Sequence, residues 1–393
     1  MIDYSELYQY CTPRQLEILK MVEREGSNIK ASRPLNITRR AVDHTVNNVK
    51  IKAAKYGWQP SANLTHHVGI GQKLLGASSL YRAGQVEPVL QWVKSTIDSE
   101  QQAIAQKAAI EAMCEDIKPQ KSVAFKGKTL DHLCNVYVLT DSHVGMLAWR
   151  QENLEADWDL KIAEETLAGC FEQMILNSPK SKSCVVSQLG DFLHYDSLSP
   201  VTPSHGHILD ADGRYGKMVK TAIRILRRVI NFSLMHHEEV IVLMAEGNHD
   251  PASSVWLRAM FAALYEKETR VKVIDSELPY YIHKHGQTML AFHHGHLKKN
   301  DQLPILFASQ FPEIWGSTKR RYCHTGHRHH VEEKEHSGMT VIQHSTLAAR
   351  DAYASRGGWM SERQITSITY SDKFGQVARN TVTPEMLGSN QEL

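Results

Sequence analysis

Four short apolar runs in this chain each end abruptly in small residues and side chains able to bind a metal. Val136–Leu139 leads to Asp141-Ser142-His143, and Cys184–Val186 leads to Gly190-Asp191. Val240–Met244 leads to Gly247-Asn248-His249-Asp250, and Met289–Phe292 to His293-His294-Gly295-His296. A fifth block, Gly326-His327-Arg328-His329, follows further on. Helical patterns at about 159–176, 214–237 and 253–267 fall between the runs. Short β-branched runs alternating with long helical stretches predict an α/β or layered α/β fold. In open α/β sheets the functional crevice lies outside the carboxyl ends of the strands, so the five blocks are expected to converge.

Histidine supports a chemical reading of these blocks. The chain has 22 histidines among 393 residues, and eleven of them fall between His283 and His344. The donor set mixes carboxylate, amide and imidazole with no thiolate, which suits Mn²⁺, Fe or Zn²⁺ better than Ca²⁺ or a structural zinc. Six scattered cysteines with no CxxC pair fit reduced thiols in a cytoplasm. With 42% hydrophobic and 22% charged residues, the chain reads as soluble and globular, with two or three domains. Its apolar runs are far shorter than a membrane span, so no membrane association is expected. The N-terminus carries no readable secretory signal. The isolated His44, His66, His67, His132, His236 and His237 are read as surface or core residues, and Arg224, Arg227 and Arg228 as a solvated helix face.

In order and spacing, the blocks D-x-H, G-D, G-N-H-D, H-G-H and G-H-x-H resemble the calcineurin-like metallophosphoesterases. The resemblance covers about 190 residues. It implies a four-layer α/β/β/α sandwich and two divalent metal ions, Mn²⁺ foremost. Asp141, His143, Asp191 and His329 would hold the first ion. Asp191 would bridge to the second, completed by Asn248, His294 and His327, with His296 second in line to His294. Two cations bridged in this way, about 3.5–4 Å apart, clamp a phosphoryl group and activate a shared water. His249 would be the leaving-group acid and Asp250 would orient its imidazole.

Gly190-Asp191-Phe192-Leu193-His194 narrows the resemblance. The family's serine/threonine phosphatases would show G-D-x-V-D-R-G and G-N-H-E, and neither occurs here. A G-D-x-x-H block followed by the Pro/Ser-rich loop 197–203 is similar to the DNA double-strand-break repair nucleases of the family, in which the extra histidine, here His194, helps to position the scissile phosphate. His205-Gly206-His207 reads as a loop cap rather than a cleft wall. Lys319, Arg320 and Arg321 are candidates for a cationic cleft rim. Those nucleases work as dimers with an ATPase partner. No Walker-type G-x-x-x-x-G-K-[ST] occurs in this chain, so a homodimer and a separate ATPase are the partners the resemblance brings with it.

Residues 12–58 carry ten Lys and Arg against four Asp and Glu, within a chain whose formal charge is only +2. Thr12-Pro13-Arg14-Gln15 has the form of a capping box with proline at the first helical position. A second helix start stands at Thr38. This unit resembles the helix-turn-helix of quorum-sensing-type regulators, which implies DNA contacts from Arg39, Arg40 and Lys50. Pro34 departs from that pattern and requires the middle helix to be short or displaced.

The expected organisation is a helix-turn-helix domain at 1–58, a helical spacer at 59–130, a dinuclear metallophosphoesterase at 131–355, and C-terminal strands and tail at 356–393. The expected function is a cytoplasmic, metal-dependent phosphodiesterase acting on DNA. A small-nucleotide or cyclic-dinucleotide phosphodiesterase is the second reading. The third is a DNA-binding regulator with a structural metal domain.

Overall fold

The computed structural model describes residues 4–55, 72–80, 90–97, 107, 123–125, 127–203 and 206–388. It forms two compact units, Met1–Ala103 and Ile104–Leu393. Among the described residues no helix is long and apolar enough to cross a membrane.

In the first unit, α1 (Pro13–Glu25) opens on a capping box in which Thr12 and Gln15 exchange backbone and side-chain bonds. It ends at Gly26, held in the left-handed region at φ 70°. Helix α2 (Asn28–Ser32) is only five residues long. Pro34 cannot continue it, and the chain turns at Asn36 with φ 50°. Helix α3 (Arg39–Lys55) is capped by Thr38, whose Oγ1 accepts from the Ala41 N–H at 3.2 Å. Ile18, Leu19 and Val22 of α1 bury against Ala31 and against Val42, Val46, Val49 and Ala53 of α3. The three helices thus share one small core.

The helical spacer expected at 59–130 is corrected in its described part. Strands β1 (Gln72–Leu80) and β2 (Leu90–Ile97) pair antiparallel there. The Ala, Gln and Lys that suggested helix lie mostly beyond residue 97, whereas Trp92, Val93, Thr96 and Ile97 are strand formers. His66 and His67 lie outside the described residues, as does most of 98–122.

In the second unit, β3 (Leu130–Leu139), β4 (Ser181–Gln188), β5 (Glu239–Met244) and the short β6 (Val271–Val273) run parallel. Helices α4 (Leu160–Asn177), α5 (Tyr215–His236) and α6 (Pro251–Leu264) connect them. Strands β12 (Ile365–Ser371) and β13 (Gly375–Val382) complete a six-stranded sheet by pairing antiparallel beyond β3. The C-terminal strands therefore belong to the same sheet as the strand before Asp141, and the boundary expected at 355 cuts through a single structural unit. A second sheet has the order β10 (Glu332–His336), β11 (Met339–Gln343), β9 (Arg320–Thr325), β8 (Thr288–Phe292), β7 (Tyr281–His285).

Side chains along these strands alternate between separate cores, as a two-residue period requires. Tyr137 and Leu139, Cys184 and Val186, and Val240, Val242 and Met244 pack with α4 and α5. Their neighbours Val136, Val138, Val185, Ile241 and Leu243 face the opposite way and pack with Leu290, Phe292 and Ile342 of the second sheet. Met289, Ala291, Cys323 and Val341 on that sheet's other face meet Leu303 and Phe307 of helix α7 (Leu303–Gln310). Each such aliphatic or aromatic side chain contributes about 1.5–3 kcal/mol on full burial. A one-residue slip in β5 would exchange its two faces and place Val242 in the wrong core.

Candidate metal centre

The loops after β3, β4, β5, β8 and β9 bring the sequence blocks together. Of the seven described non-glycine residues at positive φ, five are Asp141, His143, Asp191, His327 and His329. A left-handed backbone at five candidate ligands is strain of the kind that functional sites retain. Two glycines make the convergence possible. Gly190 turns at φ 98°, where an added Cβ would stand 2.7 Å from His294 Nδ1. At Gly247 a Cβ would run into the Asp191 side chain and backbone.

Donor atoms of Asp141, His143 and His329 lie within 4.8 Å of one another, and so do those of Asp191, His294 and His327. Asp141 is fixed through one oxygen. Its Oδ2 accepts from the Thr140 hydroxyl at 2.6 Å and from the His327 N–H at 2.8 Å. That leaves Oδ1 buried, with no hydrogen-bond partner, 3.2 Å from His329 Nε2. Asp191 is arranged likewise, with Oδ1 accepting from the His249 N–H at 2.8 Å and Oδ2 3.2 Å from His294 Nε2. His294 Nδ1 donates to the Leu189 carbonyl at 2.7 Å, and its Nε2 stands 3.3 Å from Asn248 Oδ1. Such outer bonds fix the tautomer and the aim of ligand groups. His296 stands outside both triads, its ring 5.2 Å from that of His294.

These residues fit a pair of divalent cations. Asp141 Oδ1 and His327 Nδ1 are buried without partners, and the Nε2 atoms of His143 and His329 face each other at 3.4 Å. The charge balance agrees. Burial alone would lower His294, but Asp191 and Asp141 outweigh it and raise the imidazole to about 9. Burial would raise Asp141, and His329 and His294 draw it well below the usual carboxylate range instead. The pocket therefore favours positive charge between its carboxylates, which a metal ion supplies.

His194 and His249 stand beside the first triad and form a third group with His143. His194 Nδ1 is 3.2 Å from His143 Nδ1, and its ring stacks on that of His249 at 5.7 Å and 18°. His249 Nδ1 donates to the His194 carbonyl at 2.8 Å, which leaves Nε2 available in a cleft of about 1210 Å³. The role expected of Asp250 is corrected. Its carboxylate makes no hydrogen bond to His249; it accepts the backbone N–H groups of Asp191, Phe192, Leu193 and Gly247. Burial and the charge of Asp191 push this carboxyl up, to about 8. Asp250 ties two ligand loops together rather than aiming an acid.

His207 lines the cleft, while His205 lies outside the described residues. Arg320 and Arg321 open β9, at the end opposite its metal-binding loop, and Arg321 is bonded to the Trp315 carbonyl at 2.7 Å. They form no rim. Arg224 and Arg228 pair with Glu164 at 2.7 Å and Glu172 at 2.6 Å, joining α5 to α4. In the first unit Arg40 is exposed, Arg39 lies 3.4 Å from Asp43, and Lys50 rests over the Tyr4 ring. Thr140 was not foreseen, although a hydroxyl directly before a strand-end aspartate is a usable signal.

No protein-family model and no curated protein matches the chain. Several solved structures resemble it. One is a conserved uncharacterized protein of Streptococcus pneumoniae TIGR4 described as a predicted phosphoesterase, 11% identical, with 64% of this chain and 91% of that chain covered at a TM-score of 0.30. A second is an archaeal phosphodiesterase, 14% identical, with 63% and 98% covered at 0.31. A third is Vps29 of Entamoeba histolytica complexed with zinc, 14% identical, with 64% and 99% covered at 0.27. Likeness at this level adds nothing to the site, which stands on the chain's own residues.

Proposed function

We propose that the second unit is a dinuclear, metal-dependent phosphodiesterase and that its substrate is DNA. The observation that carries the reading is the pair of largely buried donor triads, Asp141/His143/His329 and Asp191/His294/His327, of which His143, Asp191, His327 and His329 line one cleft with His249. Two cations bound there would supply Lewis acidity toward phosphoryl oxygens and an activated water. Asp191 would supply the bridging carboxylate and Asn248, 3.3 Å from His294 Nε2, the amide of the second ion. His249, steadied through Nδ1 by the His194 carbonyl, presents Nε2 to protonate a departing alkoxide. The His143 and His249 rings meet edge to face at 4.8 Å, and His194 packs against both, at 5.2 Å and 5.7 Å, which helps to hold the acid beside the first triad.

The three successive cores support the four-layer α/β/β/α arrangement. Mn²⁺ is the proposed metal, on the mixed oxygen and imidazole set. DNA is favoured over a small nucleotide by the three-helix unit, in which α3 presents Arg40, His44 and Asn47 to solvent, as a groove-reading helix does. The test is Mn²⁺-supplemented hydrolysis of labelled linear and circular DNA, with Asp191→Ala and His249→Ala controls. Cleavage by the natural chain and loss in both variants is the expected result. Hydrolysis of a small diester with DNA untouched would move the substrate to a nucleotide.

A further inference from the structure

Part of the cleft lining is built of side chains that metal chemistry does not need. Ile208, Tyr353, Trp359 and Met360 line it, and their exposures are 87%, 72%, 57% and 78%. Large apolar side chains left open in a cleft otherwise rich in histidine mark a surface that something covers. Tyr353 and Trp359 meet edge to face at 5.2 Å and 63°.

Their placement is built, not incidental. Helix α8 (Ala352–Gly357) starts on Asp351, whose Oδ1 accepts from the Ala354 N–H at 2.7 Å, and ends at Gly358 in the left-handed region. The Trp359 N–H then bonds the Ala354 carbonyl at 3.1 Å. The indole lies over Gly357, where a Cβ would stand 3.1 Å from its ring atoms. Between the ligands His327 and His329, the exposed Arg328 also lines the cleft, and its guanidinium makes no hydrogen bond or ion pair among the described residues.

We propose that Trp359 and Tyr353 form a stacking subsite for a nucleobase attached to the scissile phosphodiester, and that Arg328 holds a phosphate next to the metal centre. The inference rests on the phosphodiesterase reading and specifies its substrate: an ester carrying an unstacked base. A base held between paired strands offers its edges, not its face, and cannot use an indole in this way. Stacking on aromatic side chains tolerates any base because each has a π-face. A free guanidinium suits the phosphate because it offers paired donors to its oxygens.

The test follows tryptophan fluorescence of the full chain in EDTA during titration with a short single-stranded oligonucleotide, the same strand made abasic, and a nucleoside monophosphate. The intact strand should quench and the abasic strand should not. Trp359→Phe should remove the quench attributable to that indole, and Trp359→Ala should weaken binding of the intact strand on the order of tenfold. Tight binding of the strand over the monophosphate assigns the base to DNA, and equal binding assigns it to a small nucleotide; both support the subsite. Equal quenching by intact and abasic strands, or no quenching by any ligand, would overturn it. Parallel hydrolysis of bis-p-nitrophenyl phosphate with Mn²⁺ keeps the two claims separate. If that activity is missing while the base-dependent quench is present, the phosphodiesterase reading fails and the subsite stands.

Discussion

His294 commits Nδ1 to the Leu189 carbonyl at 2.7 Å and so presents Nε2 to Asp191, whose Oδ2 lies 3.2 Å away. A similar device holds the first triad, where the Thr140 hydroxyl occupies Asp141 Oδ2 and leaves Oδ1 for a cation. Thr140→Val should therefore weaken metal affinity by about 10–100-fold with the fold intact. His294→Ala should cost more, because it removes a donor rather than its support. Isothermal titration with Mn²⁺, beside circular dichroism of each variant, checks the order.

Gly247 allows the loop after β5 to pass against the Asp191 loop with no side chain between them. Gly247→Ala should destabilise the protein by about 1–3 kcal/mol, the usual result of overpacking. It should also displace Asp191, so bound metal per chain should fall together with the urea midpoint. Full metal loading in a less stable variant would show that the glycine serves packing alone.

His249→Ala should lower the rate on DNA by about 10²–10⁴-fold while leaving both metals bound. On bis-p-nitrophenyl phosphate the same variant should keep most of its activity, because p-nitrophenolate departs without a proton. Equal losses on both substrates would place His249 in metal or phosphate binding instead.

His237 provides a pH test far from the metal loops. It is buried at the end of α5, bonded to the Ser181 carbonyl at 2.8 Å and to the Tyr137 hydroxyl at 2.9 Å. Burial lowers its pKa to about 4 from the ordinary 6.5. The unfolded chain takes up this proton below pH 6.5 and the native chain does not. The group's contribution is thus complete above 6.5 and is lost as pH falls toward 4, by about 3 kcal/mol in total. Chemical denaturation at pH 7 and pH 5 should show the loss, and His237→Gln should flatten that dependence.

The strand-end blocks were legible because each joins a period of two to a turn that only certain residues tolerate. The runs at 184–186 and 240–244 were read directly, and they appear as Ser181–Gln188 and Glu239–Met244. The polar strand Glu332–His336 was not read, because all five of its residues are wholly or partly exposed and give no alternation. Burial partners were illegible for a different reason. That Asp250 binds four backbone N–H groups depends on two loops far apart in sequence, and G-N-H-D alone suggests only its neighbour His249. Local spacing likewise could not tell the two ends of β9 apart, so Arg320 and Arg321 were placed near a cleft that Arg328 lines instead.

Anomalous diffraction from crystals soaked in Mn²⁺ shows whether the two donor triads hold a pair of ions. Two peaks are predicted, one against Asp141, His143 and His329 and the other against Asp191, Asn248, His294 and His327, with the second absent in His294→Ala. A single peak, or manganese bound away from these side chains, would rule out a dinuclear centre here.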